Sequence, residues 1–150
     1  MSISKWDRKF IELAKHVSTW SKDTTKVGAV IVDDNNIVLS LGYNGFPRKA
    51  DDDLEERKER SVKLLYTIHA EENAILNAAR KGISLEGSTM YLQWFPCMEC
   101  AKRIVNSGIK RLVCSDYDHS DFRRLNDYKF LMSESLLNEC NIIVDKYEQI

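Results

Sequence analysis

Residues 89–114 read TMYLQWFPCMECAKRIVNSGIKRLVC. The first seven, Thr89 to Phe95, are apolar and aromatic and read as a strand. Pro96 suits the first turn of a new helix, since its fixed backbone angle and missing N–H cost nothing there. That helix carries Cys97, Cys100, Ala101, Ile104 and Val105 inward and ends at Gly108. Ile109 to Cys114 forms the next strand. Strand, helix and strand in so short a span imply parallel neighbours joined by a right-handed crossover, and so an α/β chain.

Outward from this unit, Ser4 with Asp7 three residues on marks a helix start. Trp6, Phe10, Leu13, Ala14 and Val17 then recur at helical spacing as one buried stripe. Val27 to Val32 is β-branched, Asp33-Asp34-Asn35-Asn36 is a turn signal, and Ile37 to Gly42 returns as a second strand, making a hairpin. From Ile68 the pattern is helical through Glu71, Ala74, Ile75, Ala78 and Ala79, with Gly82 as C-terminal cap. Residues 122–139 read as one helix and Ile142 to Val144 as a last strand. The charged run from Asp51 to Arg60 reads as a solvated loop or short helix face, not as a binding segment. The order α-β-β-α-β-α-β-α-β predicts a mixed five-stranded sheet between helices, a three-layer α-β-α architecture.

The 150 residues amount to one domain, 1–150, and 43% hydrophobic content is enough for a core without disulfides. A formal net charge of −1 argues against a general grip on nucleic acid. The N-terminal MSISKWDRKF has no apolar stretch of signal-peptide length, and the apolar run Val27 to Val32 is too short for a bilayer. Four cysteines at 97, 100, 114 and 140 are too few for a disulfide scaffold. The expectation is a cytoplasmic protein of a reducing compartment, where paired cysteines serve metal or redox chemistry. Cys114 and Cys140 read as buried small hydrophobes.

Cys97 and Cys100 open a helix directly after a strand, so both sulfurs face one way and the helix N-terminus favours their negative charge. His69 starts the preceding helix, with Glu71 two residues on. A catalytic zinc takes three nitrogen and sulfur ligands and keeps one open position. His69, Cys97 and Cys100 meet that count. Glu71 is then the candidate catalytic residue, a carboxylate that moves the proton of an activated water. A redox Cys-x-x-C would not require the His-x-Glu, and a structural zinc would close with a fourth protein ligand.

The combination His69-Ala70-Glu71 with Pro96-Cys97-Met98-Glu99-Cys100 resembles the zinc-deaminase signature. Together with Val27-Gly28-Ala29-Val30-Ile31-Val32 and Gly42-Tyr43-Asn44-Gly45-Phe46-Pro47, it makes the chain similar to the cytidine deaminase superfamily. Within it the resemblance is to the deoxycytidylate (dCMP) deaminases, from about Trp6 to Asp121. It implies a cytidine-deaminase-like fold and hydrolysis of the C–N bond of a cyclic amidine: dCMP to dUMP and ammonia, feeding thymidylate synthesis. Glu71 would protonate N3 as activated water attacks C4, then hand a proton to the departing ammonia. Asn44 would bind the sugar, the Ala70 backbone the pyrimidine, and Tyr117 would flank the substrate. For the phosphate Lys26 is the first candidate, with Arg48 and Lys49 as others.

Alternatives within this reading are another cytosine nucleotide, either dCTP or a C5-modified dCMP, a tRNA adenosine deaminase, or a non-catalytic zinc module. tRNA adenosine deaminases have a shorter connection than the residues 45–68 between Asn44 and His69. The resemblance further implies a homo-oligomer, in many members a hexamer, activated by dCTP, which can carry Mg2+, and inhibited by dTTP. Lys49 stands where that effector turn usually has glycine. Residues 44–68 hold no cysteine or histidine for an additional structural zinc, so one catalytic zinc is expected.

Overall fold

The computed structural model describes residues 3–148. Met1 and Ser2 of the polar N-terminal stretch, and Gln149 and Ile150, lie outside the described residues. Helix α1 spans Lys5–Ser18. Its start is a reciprocal capping box: Asp7 N–H donates to Ser4 Oγ at 3.0 Å, and Ser4 N–H to Asp7 Oδ2 at 2.9 Å. Strands β1 (Gly28–Val32) and β2 (Val38–Tyr43) form the hairpin. A 3-10 turn at Glu55–Arg57 and helix α2 (Arg60–Tyr66) follow, then helix α3 (Ala70–Lys81), ended by Gly82 at φ 68°. The second half runs β3 (Thr89–Leu92), α4 (Met98–Asn106), β4 (Arg111–Ser115), α5 (Phe122–Tyr128), α6 (Phe130–Glu139) and β5 (Ile143–Tyr147).

The sheet order is β2-β1-β3-β4-β5. β1 pairs antiparallel with both neighbours, while β3, β4 and β5 are parallel, so the sheet is mixed. Alternation along the strands then sorts the layers. Val30, Val32, Tyr91 and Val113 meet Phe10, Ile11, Ala14 and Val17 of α1 on one face. Ala29, Ile31, Met90, Leu92, Leu112 and Cys114 meet the apolar sides of α3, α4 and α6 on the other. The architecture is the three-layer α-β-α sandwich expected.

Three details differ from the sequence reading. Ile11 is fully buried and Trp6 is half exposed, so the α1 stripe is rotated slightly from the one drawn by period alone. The predicted helix 122–139 is two, parted at Lys129, whose left-handed φ of 54° turns the chain so that Phe130 enters the core. The 44–67 connection contains a 3-10 turn and α2, which the charge run concealed.

A buried charge cluster clamps α1 to the sheet. Arg111 donates to both carboxylate oxygens of Asp7, at 2.9 and 3.0 Å, and to Asp145 at 2.7 Å. Tyr91 donates its hydroxyl to Asp7 at 2.6 Å. Asp145, buried within β5, meets Arg111 through Oδ2, while its Oδ1 is buried without a hydrogen-bond partner among the described residues.

Candidate active site

The chain brings the starts of α3 and α4 together. His69 is the N-cap of α3 and Cys97 that of α4, both extended, and neither side chain caps its own helix. They turn to each other instead. His69 Nδ1 lies 3.5 Å from Cys97 Sγ and 3.4 Å from Cys100 Sγ. Tetrahedral zinc with its ordinary N and S bond lengths would hold such a pair about 3.5 Å apart. The three donors are therefore spaced for zinc. Among the described residues His69, Cys97 and Cys100 are the only histidine and cysteine side chains so grouped. An exposed acidic trio, Asp51 to Asp53, is the other cluster.

The supports are local and specific. α3 is pinned to β2 by Ser40 Oγ donating to Ala74 O at 2.7 Å, and by Asn73 and Asn77 donating to Tyr43 O and Leu41 O. Gly42 permits the approach: a Cβ there would collide with the Ala74 amide and come within 2.8 Å of Ala70 O. Arg103 of α4 reaches Glu72 of α3 at 2.8 Å. Ser133 of α6 donates to Pro96 O at 2.8 Å, just before Cys97. Gly45 and Ile68 exchange backbone hydrogen bonds of 3.1 and 2.8 Å. That bridge closes the excursion of residues 46–67 and sets Asn44 near His69.

The electrostatics are those of an enclosed polar centre. The Cys97 thiol is lowered to about 4 by its hydrogen bond with Cys100 and by the imidazole. His69 is raised to about 9, chiefly by its hydrogen bond with Cys97. Cys100 is pushed up by the hydrogen bond with Cys97 and by burial. Binding of a divalent cation would strip protons from all three donors. Glu71 is 5% exposed, and burial raises its carboxyl above the ordinary range. A carboxyl raised in this way is suited to take a proton and return it.

A cavity of about 170 Å³ opens over these groups. His69, Ala70, Glu71, Cys97 and Asn44 line it. Ala70 N–H is one of the helix-start donors without an intrahelical acceptor. Asn44 is held by Val27 N–H, 2.9 Å from its Oδ1, and by Thr25 O, 2.7 Å from its Nδ2. Each end of that amide keeps one further bonding position for a ligand.

Lys26, Arg48, Lys49 and Tyr117 are placed outside the lining. The exposed Lys26 turns its ammonium back to Ser21 O. Arg48 donates to Asn77 at 2.9 Å, and Lys49 sits exposed in a turn at φ 71°. Tyr117 stands one layer behind the wall, stacked on Phe130, edge-on to Phe95 and bonded through its hydroxyl to Glu134 at 2.9 Å. Phe95 and Phe130 themselves line the cavity.

Two further segments, not foreseen from local pattern, contribute to the lining. Arg60, Lys63, Leu64 and Thr67 of the α2 segment line the cavity, as do Arg123, Arg124 and Tyr128 of α5. The first set recurs at i, i+3, i+4 and i+7, one helical face, and that spacing was the available signal.

Comparison with known proteins follows the same residues. Residues 4–116 match the family model described as "Cytidine and deoxycytidylate deaminase zinc-binding region". An "Uncharacterized deaminase in luxG 3'region" of Aliivibrio fischeri is 40% identical, covering 95% of this chain and 93% of its own length. A deoxycytidylate deaminase of Pongo abelii is 36% identical, covering 97% and 88%. The crystal structure of dCMP deaminase from the cyanophage S-TIM5, in complex with dCMP and dUMP, shares the fold. Its TM-score is 0.77 at 23% identity, over 98% of this chain and all of that one. With the motif residues of that zinc-binding region converging around one cavity, the chain belongs to the cytidine and deoxycytidylate deaminase family.

Proposed function

We propose that this protein is a zinc-dependent hydrolytic deaminase that converts dCMP to dUMP and ammonia. The observation that carries the reading is the clustering of His69, Cys97 and Cys100, with His69, Cys97 and the buried Glu71 lining one cavity. Deoxycytidylate deaminase relatives matching nearly the whole chain support the choice of nucleotide. His69, Cys97 and Cys100 would hold the zinc, which when bound would supply the Lewis acidity that acidifies a water. Glu71 takes the proton of the attacking water and delivers it to N3 of the ring; it then takes the proton of the new C4 hydroxyl and passes it to the amine, which leaves as ammonia while the C4 carbonyl forms. Burial helps, because it raises the carboxyl above its ordinary range and so favours its protonated form. Ala70 N–H and the remaining positions of the Asn44 amide orient pyrimidine and sugar. The Phe95 and Phe130 wall excludes water from the base.

The same reading places the protein in the cytoplasm as a homo-oligomer, up to a hexamer, with Mg2+ accompanying any nucleotide effector. Among the described residues no helix is long and apolar enough to cross a membrane. Ammonia release from a panel of deoxycytidine, dCMP, dCTP and C5-modified dCMP, with metal analysis of the same preparation, tests the reading. The expected outcome is about one zinc per chain and turnover of dCMP. Glu71→Ala is expected to retain zinc and to lose at least about a hundredfold in kcat, in line with a general acid–base residue. Full activity in that variant overturns the mechanism.

A further inference from the structure

The cavity is lined by four cations, Arg60, Lys63, Arg123 and Arg124, although the chain as a whole carries a net charge of −1. Two of the four are already answered. Lys63 pairs with Asp23 at 2.9 Å, itself a lining residue. Arg124 lies 3.6 Å from Asp121, with its guanidinium 5.1 Å from the Trp94 ring. Arg60 and Arg123 have no carboxylate within ion-pair distance among the described residues. Both are exposed, so they stand at the mouth of the cavity while the zinc-ligand set lies at its inner end.

Resting on the deaminase reading above, we propose that Arg60 and Arg123 are the residues that select a phosphorylated substrate, closing on the 5′-phosphate from α2 and α5. Two uncompensated guanidinium groups match the charge of a phosphate monoester, close to −2 at neutral pH. Arginine also offers paired N–H donors spaced for phosphate oxygens. Lys26, Arg48 and Lys49 lie outside this lining, Lys26 bonded to Ser21 O and Arg48 to Asn77. No side chain of α2 or α5 is fully buried, so their arginines remain accessible to a charged group. The base end and the phosphate end are thus built from different parts of the chain. α3 and α4 hold the chemistry, and α2 and α5 hold the selectivity.

The test is steady-state kinetics of Arg60→Gln, Arg123→Gln and the double variant on dCMP and on unphosphorylated deoxycytidine, with Lys81→Ala as a remote control. Each single change is expected to raise KM for dCMP about tenfold or more, as loss of a charged hydrogen bond does. kcat should stay near the parent value, deoxycytidine turnover should be unaltered, and Arg123→Lys should recover part of the loss. Inorganic phosphate is expected to inhibit the parent competitively and the double variant far less. An unchanged KM for dCMP in the double variant, or an equal loss on deoxycytidine, overturns the proposal. A parent chain that binds phosphate through these arginines yet deaminates no cytosine nucleotide overturns the deaminase reading and leaves the anion site standing.

Discussion

Lys49 shows how one residue can conflict with its backbone. Ala50 N–H donates to Pro47 O at 3.1 Å, closing a β-turn in which Lys49 takes φ 71°. That is the turn position glycine normally fills. The backbone has kept the glycine conformation and accepted the strain of a side chain. Lys49→Gly is therefore expected to leave stability unchanged or raise it by up to about 1 kcal/mol, measured by urea denaturation. A clear loss would mean that the lysine side chain makes a compensating contact. Glu71 is the opposite case, a residue whose local spacing and tertiary setting agree. The His-x-Glu pattern was legible because both residues sit within one helix start. What the spacing could not give was the depth of burial that raises the carboxyl.

At the scale of elements, the catalytic geometry depends on how closely α3 lies against β2. Gly42 has no room for a methyl group, because the Ala74 amide and Ala70 carbonyl occupy that space. Gly42→Ala is expected to cost about 1–3 kcal/mol through overpacking and to lower zinc occupancy, since α3 carries His69. Thermal melting and metal analysis of the same sample check both effects. Normal zinc content and stability would show that α3 can shift without consequence. The Gly-Tyr-Asn-Gly-x-Pro segment thus acts partly as a packing device. Helix α2 was hard to read, because a seven-residue helix with no fully buried residue leaves no clear apolar stripe. Lys129 hid the break between α5 and α6, since nothing in lysine signals a left-handed residue.

Across the whole molecule, the Asp7, Arg111 and Asp145 cluster links the first helix to the last strand. Burial alone would raise the Asp7 carboxyl. The hydrogen bonds from Arg111, Tyr91 and Ser4 outweigh it and hold that carboxyl well below the ordinary range. A carboxylate so depressed stabilises the fold fully above the unfolded value, about 4, and less as pH falls below it. Asp23 and Asp116 are lowered as well and act in the same direction. The melting temperature is therefore expected to drop steeply below about pH 4. Asp7→Asn should cost about 2–4 kcal/mol at pH 7, because Arg111 loses one of its two partners. The gap between variant and parent should narrow on acidification. A gap independent of pH would assign the effect to packing instead of charge.

The layer order, the hairpin, the parallel second half, and the grouping of His69 and Glu71 on one helix start and Cys97 and Cys100 on another are all legible in local pattern. These features are short-ranged. They follow from caps, strand alternation and covalent spacing, which act over a few residues and need no partner to be read. Which distant groups share the cavity depends on long-range packing. It put Tyr117 behind Phe95 and Phe130, turned Lys26 toward Ser21, and brought Arg60 and Arg123 to one mouth. The reason is physical. A surface arginine has the same local pattern wherever it lies, and its meaning is set by what long-range packing places opposite it.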